Sequence, residues 1–122
     1  MRDIDAYHVR IRNLIEQGNV DSEKEAMPFI VTAVDELSEA MVSYPREIEG
    51  PIIRITQLGG QVGVHLVVAT SNTRVLNNSI KMNIPARIAF QVISESDSRS
   101  IIGSGGAEML HGIGEALYMR EK

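Results

Sequence analysis

The stretch Pro28-Phe29-Ile30-Val31-Thr32-Ala33-Val34 constrains this chain more than any other, because it is apolar, rich in β-branched residues and ends abruptly in two carboxylates, Asp35 and Glu36. A run of that length without polar alternation predicts a strand over 28–34 buried on both faces, as in a parallel sheet. Acids at its carboxyl end then fall at the sheet edge where α/β proteins place their ligands. Two readings of the pair stay open at this point. Asp35 is either the N-cap of the helix that follows, or it joins Glu36 in a Walker B pair. In the second reading the Asp holds a magnesium ion through water, and the Glu polarises the water that attacks a γ-phosphate.

The remaining elements alternate. Ile4, Ile11, Leu14 and Ile15 recur at helical spacing among charges, which predicts a helix over 2–17 stopped by Gly18. A polar stretch from Asn19 to Glu25 leads into the first strand. Helical signals run from Glu36 to Ser43, Pro45 breaks them, and a second helix is expected from Pro51 to Leu58. Gly59 to Gly63 reads as a turn, Val64 to Thr70 as a second strand and Ala86 to Ile93 as a third. Ser94 with Asp97 three residues on resembles a capping box for a helix near 95–102. One more helix is expected within Gly105 to His111, and a short strand from Glu115 to Met119. Strands alternating with helices predict an α/β layered fold with a mainly parallel sheet.

Composition narrows the function. With 122 residues, the chain is one domain or part of one. No apolar run approaches the length of a membrane span, and the charged segment from Arg2 to Asp5 predicts no signal peptide. The chain has no cysteine, which excludes disulfides and thiolate chemistry and suits the cytoplasm. A net charge of -4 means that nucleic-acid binding would need a local basic patch. His8, His65 and His111 lie far apart without HExxH spacing, so no zinc site is expected.

Six motifs then occur in one order: Val34-Asp35-Glu36-Leu37, the strand Gly63 to Thr70, Ile84-Pro85-Ala86-Arg87-Ile88-Ala89-Phe90, Asp97-Ser98-Arg99-Ser100-Ile101, Gly105-Gly106-Ala107-Glu108, and Gly112 to Tyr118. Together they resemble the C-terminal half of the RecA-like motor domain of FtsK/SpoIIIE DNA translocases. The opening Met1-Arg2-Asp3-Ile4, with Tyr7 following, is similar to a segment that precedes Walker B in that family. The resemblance implies a partial RecA-like (P-loop NTPase) three-layer fold lacking the Walker A strand, with residues 1–122 as a single partial domain. It also implies an ATP- and Mg-dependent motor, assembled as a hexameric ring, that pumps double-stranded DNA through its channel. Full-length members are often anchored at the inner membrane by segments not found in this sequence. In that picture Asp35 and Glu36 form the Walker B pair with Asp35 on the metal, and Thr70 ends the strand that senses the γ-phosphate. Lys81 matches a channel-loop residue that touches the DNA backbone, and Arg74 is a second basic candidate. For Lys81 the competing reading is a solvated surface charge. Arg87 and Arg99 lie in matched motifs without an assigned role.

The departures matter as much. No lysine follows a glycine, so GxxxxGK[ST] occurs nowhere, and the phosphates lack their cradle of backbone amides. Aligned through Gln57 and Gly63, the family's arginine finger falls on Gly60. The family's Gln-Arg-Pro after Ala-Thr becomes Ser71-Asn72-Thr73, removing the sensor amide and one basic residue. A piece of a longer translocase accounts for the missing Walker A loop but not for Gly60 or Ser71, whereas a diverged relative with a weakened motor accounts for both. In either case this chain alone is expected to bind no nucleotide and to hydrolyse no ATP at a useful rate. Without the Walker A strand an apolar sheet edge is exposed, and self-association through it is expected.

Two other classes compete. A signalling receiver domain has an Asp and a Thr at strand ends and a downstream Lys. It also needs an acidic pair after its first strand, whereas Asp3 and Asp5 sit in a helical pattern. Its Lys directly precedes Pro, whereas Lys81 stands four residues before Pro85. The stronger alternative is a non-catalytic scaffold that docks on an intact motor or on DNA.

Overall fold

The computed structural model of the chain describes residues 3–18 and 27–120. The polar connection from Asn19 to Glu25, with Met1, Arg2 and Lys122, lies outside them. Asp3 opens helix α1 (Ile4–Glu16), its carboxylate accepting from the Ala6 amide at 2.8 Å. Ile4 and Ile11 form the buried stripe of α1, and Gly18 closes it at φ +69° with its N–H on the Ile15 carbonyl.

Strands β1 (Ile30–Val34) and β2 (Val64–Val68) pair in parallel, with Ile30 opposite Val64 and Val34 opposite Val68. Helix α1 meets this pair at Gly63. A Cβ there would stand 2.3 Å from Ile4 Cδ1, and its φ of +77° independently favours glycine. Val34, Leu66 and Val68 point to one face and pack on a core of Leu37, Ile52 and Ile80. That core is supplied by helices α2 (Leu37–Ser43), α3 (Pro45–Leu58) and α4 (Asn78–Lys81). Helix α3 begins six residues earlier than the sequence predicts. Pro45 is not a break but the first helical residue, where a missing N–H costs nothing, and Pro51 lies inside the helix.

Strand β1 itself corrects an expectation. Ile30 and Val31 are 52% and 66% exposed, not buried on both faces. β1 pairs only with β2 among the described residues, and the face carrying Val31, Ala33 and Val67 is open. Apolar content predicts what a strand can bury, but burial needs neighbours.

Strand β3 (Ala86–Phe90) pairs antiparallel with β4 (Ala116–Arg120), as a ribbon separate from the parallel pair. Helix α5 (Glu95–Ile102) packs on it, giving a second core of Ala89, Ile102 and Ala107. The capping box is present: Ser94 Oγ accepts from the Asp97 amide at 3.2 Å and donates to Asp97 Oδ2 at 2.7 Å. The helix expected within Gly105 to His111 is only a single 3₁₀ turn, Ala107–Met109. Glycines 105, 106 and 112 flank it, and Gly106 and Gly112 adopt positive φ, which stops propagation. The outer face of the ribbon exposes Ile88, Phe90 and Tyr118.

Candidate functional site at the ends of the parallel strands

Both parallel strands end at the same edge, which brings the residues after β1 beside those after β2. The Leu37 amide donates to the Ala69 carbonyl at 2.9 Å, and the Ala69 amide to the Val34 carbonyl at 2.8 Å, so the two chain ends are pinned. Between them lies Glu36. Its Oε1 accepts from the Ser38 amide (3.1 Å), Ser38 Oγ (2.6 Å) and Thr70 Oγ1 (2.6 Å). Its Oε2 accepts from the Ser71 amide (2.9 Å) and Ser71 Oγ (2.7 Å). These donors, Ser38 first and then Thr70 and Ser71, hold the Glu36 carboxyl far below the usual carboxylate range.

The N-cap of α2 is therefore Glu36 and not Asp35. A cap residue must have extended backbone with its side chain folded back on the helix amides, and Glu36 reaches the Ser38 amide. Asp35 is left exposed at the strand end, with no hydrogen bond or ion pair to its carboxylate among the described residues. A free carboxylate in that position suits a hard, hydrated cation. The phosphate side of such a site has no cradle in this sequence.

A cleft of about 510 Å³ adjoins Glu36, lined by residues 71–74 after β2, residues 91–93 after β3, and Asp97. Arg74 lies exposed in its wall. Thr73 Oγ1 donates to Asp97 Oδ1 at 3.0 Å and ties the two halves of the chain together. Ser94 and then Thr73 hold the Asp97 carboxyl below its ordinary value.

Of the sequence candidates, the structure brings Asp35, Glu36 and Thr70 to one edge, with Arg74 beside them. Lys81 is elsewhere, half-buried at the end of α4. Arg87 is a staple: its Nη2 donates to the Lys81 carbonyl (2.7 Å), its Nε to Ile84 (3.0 Å) and its Nη1 to Ile101 (3.3 Å). Arg99 pairs with Glu95 one helical turn away at 2.6 Å. Ser38 was not legible as a site residue, although a hydroxyl two residues after an acid at a helix start is a recognisable signal. Ser71, expected only as the loss of an amide, supplies two hydrogen bonds to Glu36.

Solved structures share this fold. The pCW3 conjugation coupling protein TcpA, in its monomer form with ATPγS, superposes with a TM-score of 0.72 at 23% identity, covering 96% of this chain and 38% of that one. The cytoplasmic domain of the Thermomonospora curvata Type VII secretion ATPase EccC gives 0.72 at 24% identity, covering 96% and 16%. The chain thus shares the α/β fold of part of these proteins, and the phosphate-loop motif is absent from its sequence. Sequence narrows the class. The FtsK/SpoIIIE family profile matches residues 2–93. DNA translocase FtsK of Staphylococcus epidermidis is 46% identical over 120 residues, and that of Chlorobaculum tepidum 45% over 114, covering 97% and 92% of this chain. The chain belongs to the FtsK/SpoIIIE family. It spans about 15% of the length of these relatives.

Proposed function

We propose that this chain is part of the motor core of an ATP-driven double-stranded DNA translocase, contributing the Walker B pair and the sensor but not the phosphate cradle. The observation that carries this is the convergence of Asp35, Glu36 and Thr70 at the carboxyl ends of two adjacent parallel strands, with Glu36 bonded to Thr70 at 2.6 Å. In the assembled motor, ATP with Mg²⁺ supplies the reacting phosphoryl group. Asp35 holds the hydrated cation, Glu36 orients the attacking water, and Thr70 couples the phosphate position to Glu36. Lys81 and Arg74 contact the DNA backbone without reading sequence. The motor works as a ring on the cytoplasmic side; no helix among the described residues is long and apolar enough to cross a membrane. This portion alone binds no nucleotide, and its open β1 edge and faces favour self-association.

A second reading, a non-catalytic module derived from such a motor, is favoured by one observation. Aligned through Gln57 and Gly63, the family's arginine finger falls on Gly60, which carries no side chain to reach a neighbouring subunit. The two readings part on a single experiment with the native protein that carries this sequence. Duplex DNA should stimulate its ATP turnover, and DNA affinity should fall steeply with salt. Salt-dependent DNA binding with no turnover would favour the module.

A further inference from the structure

Glu36 holds more hydrogen bonds than a water-polarising carboxylate can keep. A carboxylate offers about four lone-pair sites, and five donors already converge on this one. No site is left for water, so two donors must leave before Glu36 can orient a nucleophile. The donors are not equally free to go. The Ser38 amide belongs to the first turn of α2, which Glu36 caps. Thr70 Oγ1 also accepts from the Asn72 amide at 3.2 Å. Ser71 is exposed, follows the end of β2, lines the cleft beside Arg74, and is the sole described partner of Oε2.

We propose that Ser71 is a brake on this site. It is a positioning residue whose amide and hydroxyl latch Oε2 of Glu36 and withhold it from water until occupation of the adjacent cleft draws the 71–74 segment away. The proposal rests on the reading of Glu36 as the water-orienting group. It gives the hydroxyl at this position a role of its own: a shorter side chain than the family's amide reaches back to the acid and adds a bond to it.

Hydrogen exchange of the native protein without nucleotide reads the latch alone. The Ser71 amide should be protected, and should exchange about tenfold faster in Glu36→Gln, where a charge-assisted bond becomes a neutral one. The Ala69 amide, held by the Val34 carbonyl, should be unaffected. Equal exchange at Ser71 in both proteins overturns the latch. ATP turnover reads the brake. Ser71→Ala should raise kcat by up to about tenfold at constant KM, the factor for one such bond. Ser71→Thr, which keeps both donors, should restore the wild-type rate. An unchanged or lower kcat in Ser71→Ala overturns the brake. Absence of turnover in every variant, with Ser71 still protected, overturns the hydrolytic reading and the brake with it, while the latch stands.

Discussion

The parallel half and the antiparallel half use their motifs in opposite ways. In the parallel half, hydroxyls and amides from two strand ends turn toward one half-buried carboxylate, Glu36, at the rim of a cleft. In the antiparallel half, Asp97 of the Asp97-Ser98-Arg99 motif faces the same cleft, but Ser98 turns inward and Arg99 pairs locally. Ser98 is fully buried, donating to the Ser104 carbonyl at 2.7 Å and accepting from the Ala107 amide at 3.1 Å, and Arg99 pairs with Glu95. Arg87, from the motif before it, binds three backbone carbonyls. The motifs therefore mark two kinds of constraint: polar side chains gathered at strand ends, and backbone satisfaction under a ribbon.

Three substitutions sharpen or break that contrast. The largest effect is expected at Ser98. Ser98→Ala leaves the buried Ala107 amide without its partner and removes the bond to the Ser104 carbonyl, and should lower unfolding free energy by about 2 kcal/mol, measured by urea denaturation. A loss near zero would mean that the motif in the antiparallel half is not architectural. Ile113 comes next. It is fully exposed and holds φ +49° between Gly112 and Gly114, a left-handed conformation that costs a β-branched residue about 1 kcal/mol. Ile113→Asn should recover most of that cost, and a fall in stability would show that the side chain is held by a contact. The smallest effect is expected at Gly60, where an added Cβ meets open space. Gly60→Arg should change stability by no more than about 0.5 kcal/mol. If it also raises turnover in the native protein, the missing finger limits the motor.

Much of this was legible in the sequence, and the misses have physical causes. Helix α1, the Ser94 cap and the order of strands follow from periodicity and capping chemistry, which are local. Exposure of Ile30 and Val31 was not legible, since periodicity registers apolar content but not whether another element covers it. The start of α3 was missed because proline at N1 and proline as a breaker look alike until the backbone is known. Asp35 and Glu36 were legible as a pair, but which one caps the helix depends on how the chain turns after β1. Ser38 and Ser71 were invisible as partners of Glu36. The Ser71 contact spans 35 residues, and only the parallel register makes it short.

In the proposed motor, Asp35 and Glu36 divide metal binding and water activation between them. Mg²⁺-dependent ATP binding and hydrolysis by the native protein, compared in Asp35→Asn and Glu36→Gln, tests it most directly. Glu36→Gln should still bind Mg–ATP but lose turnover by at least about a hundredfold, while Asp35→Asn should lose the dependence of binding on Mg²⁺. Wild-type turnover in Glu36→Gln, or unchanged Mg²⁺ dependence in Asp35→Asn, would contradict it.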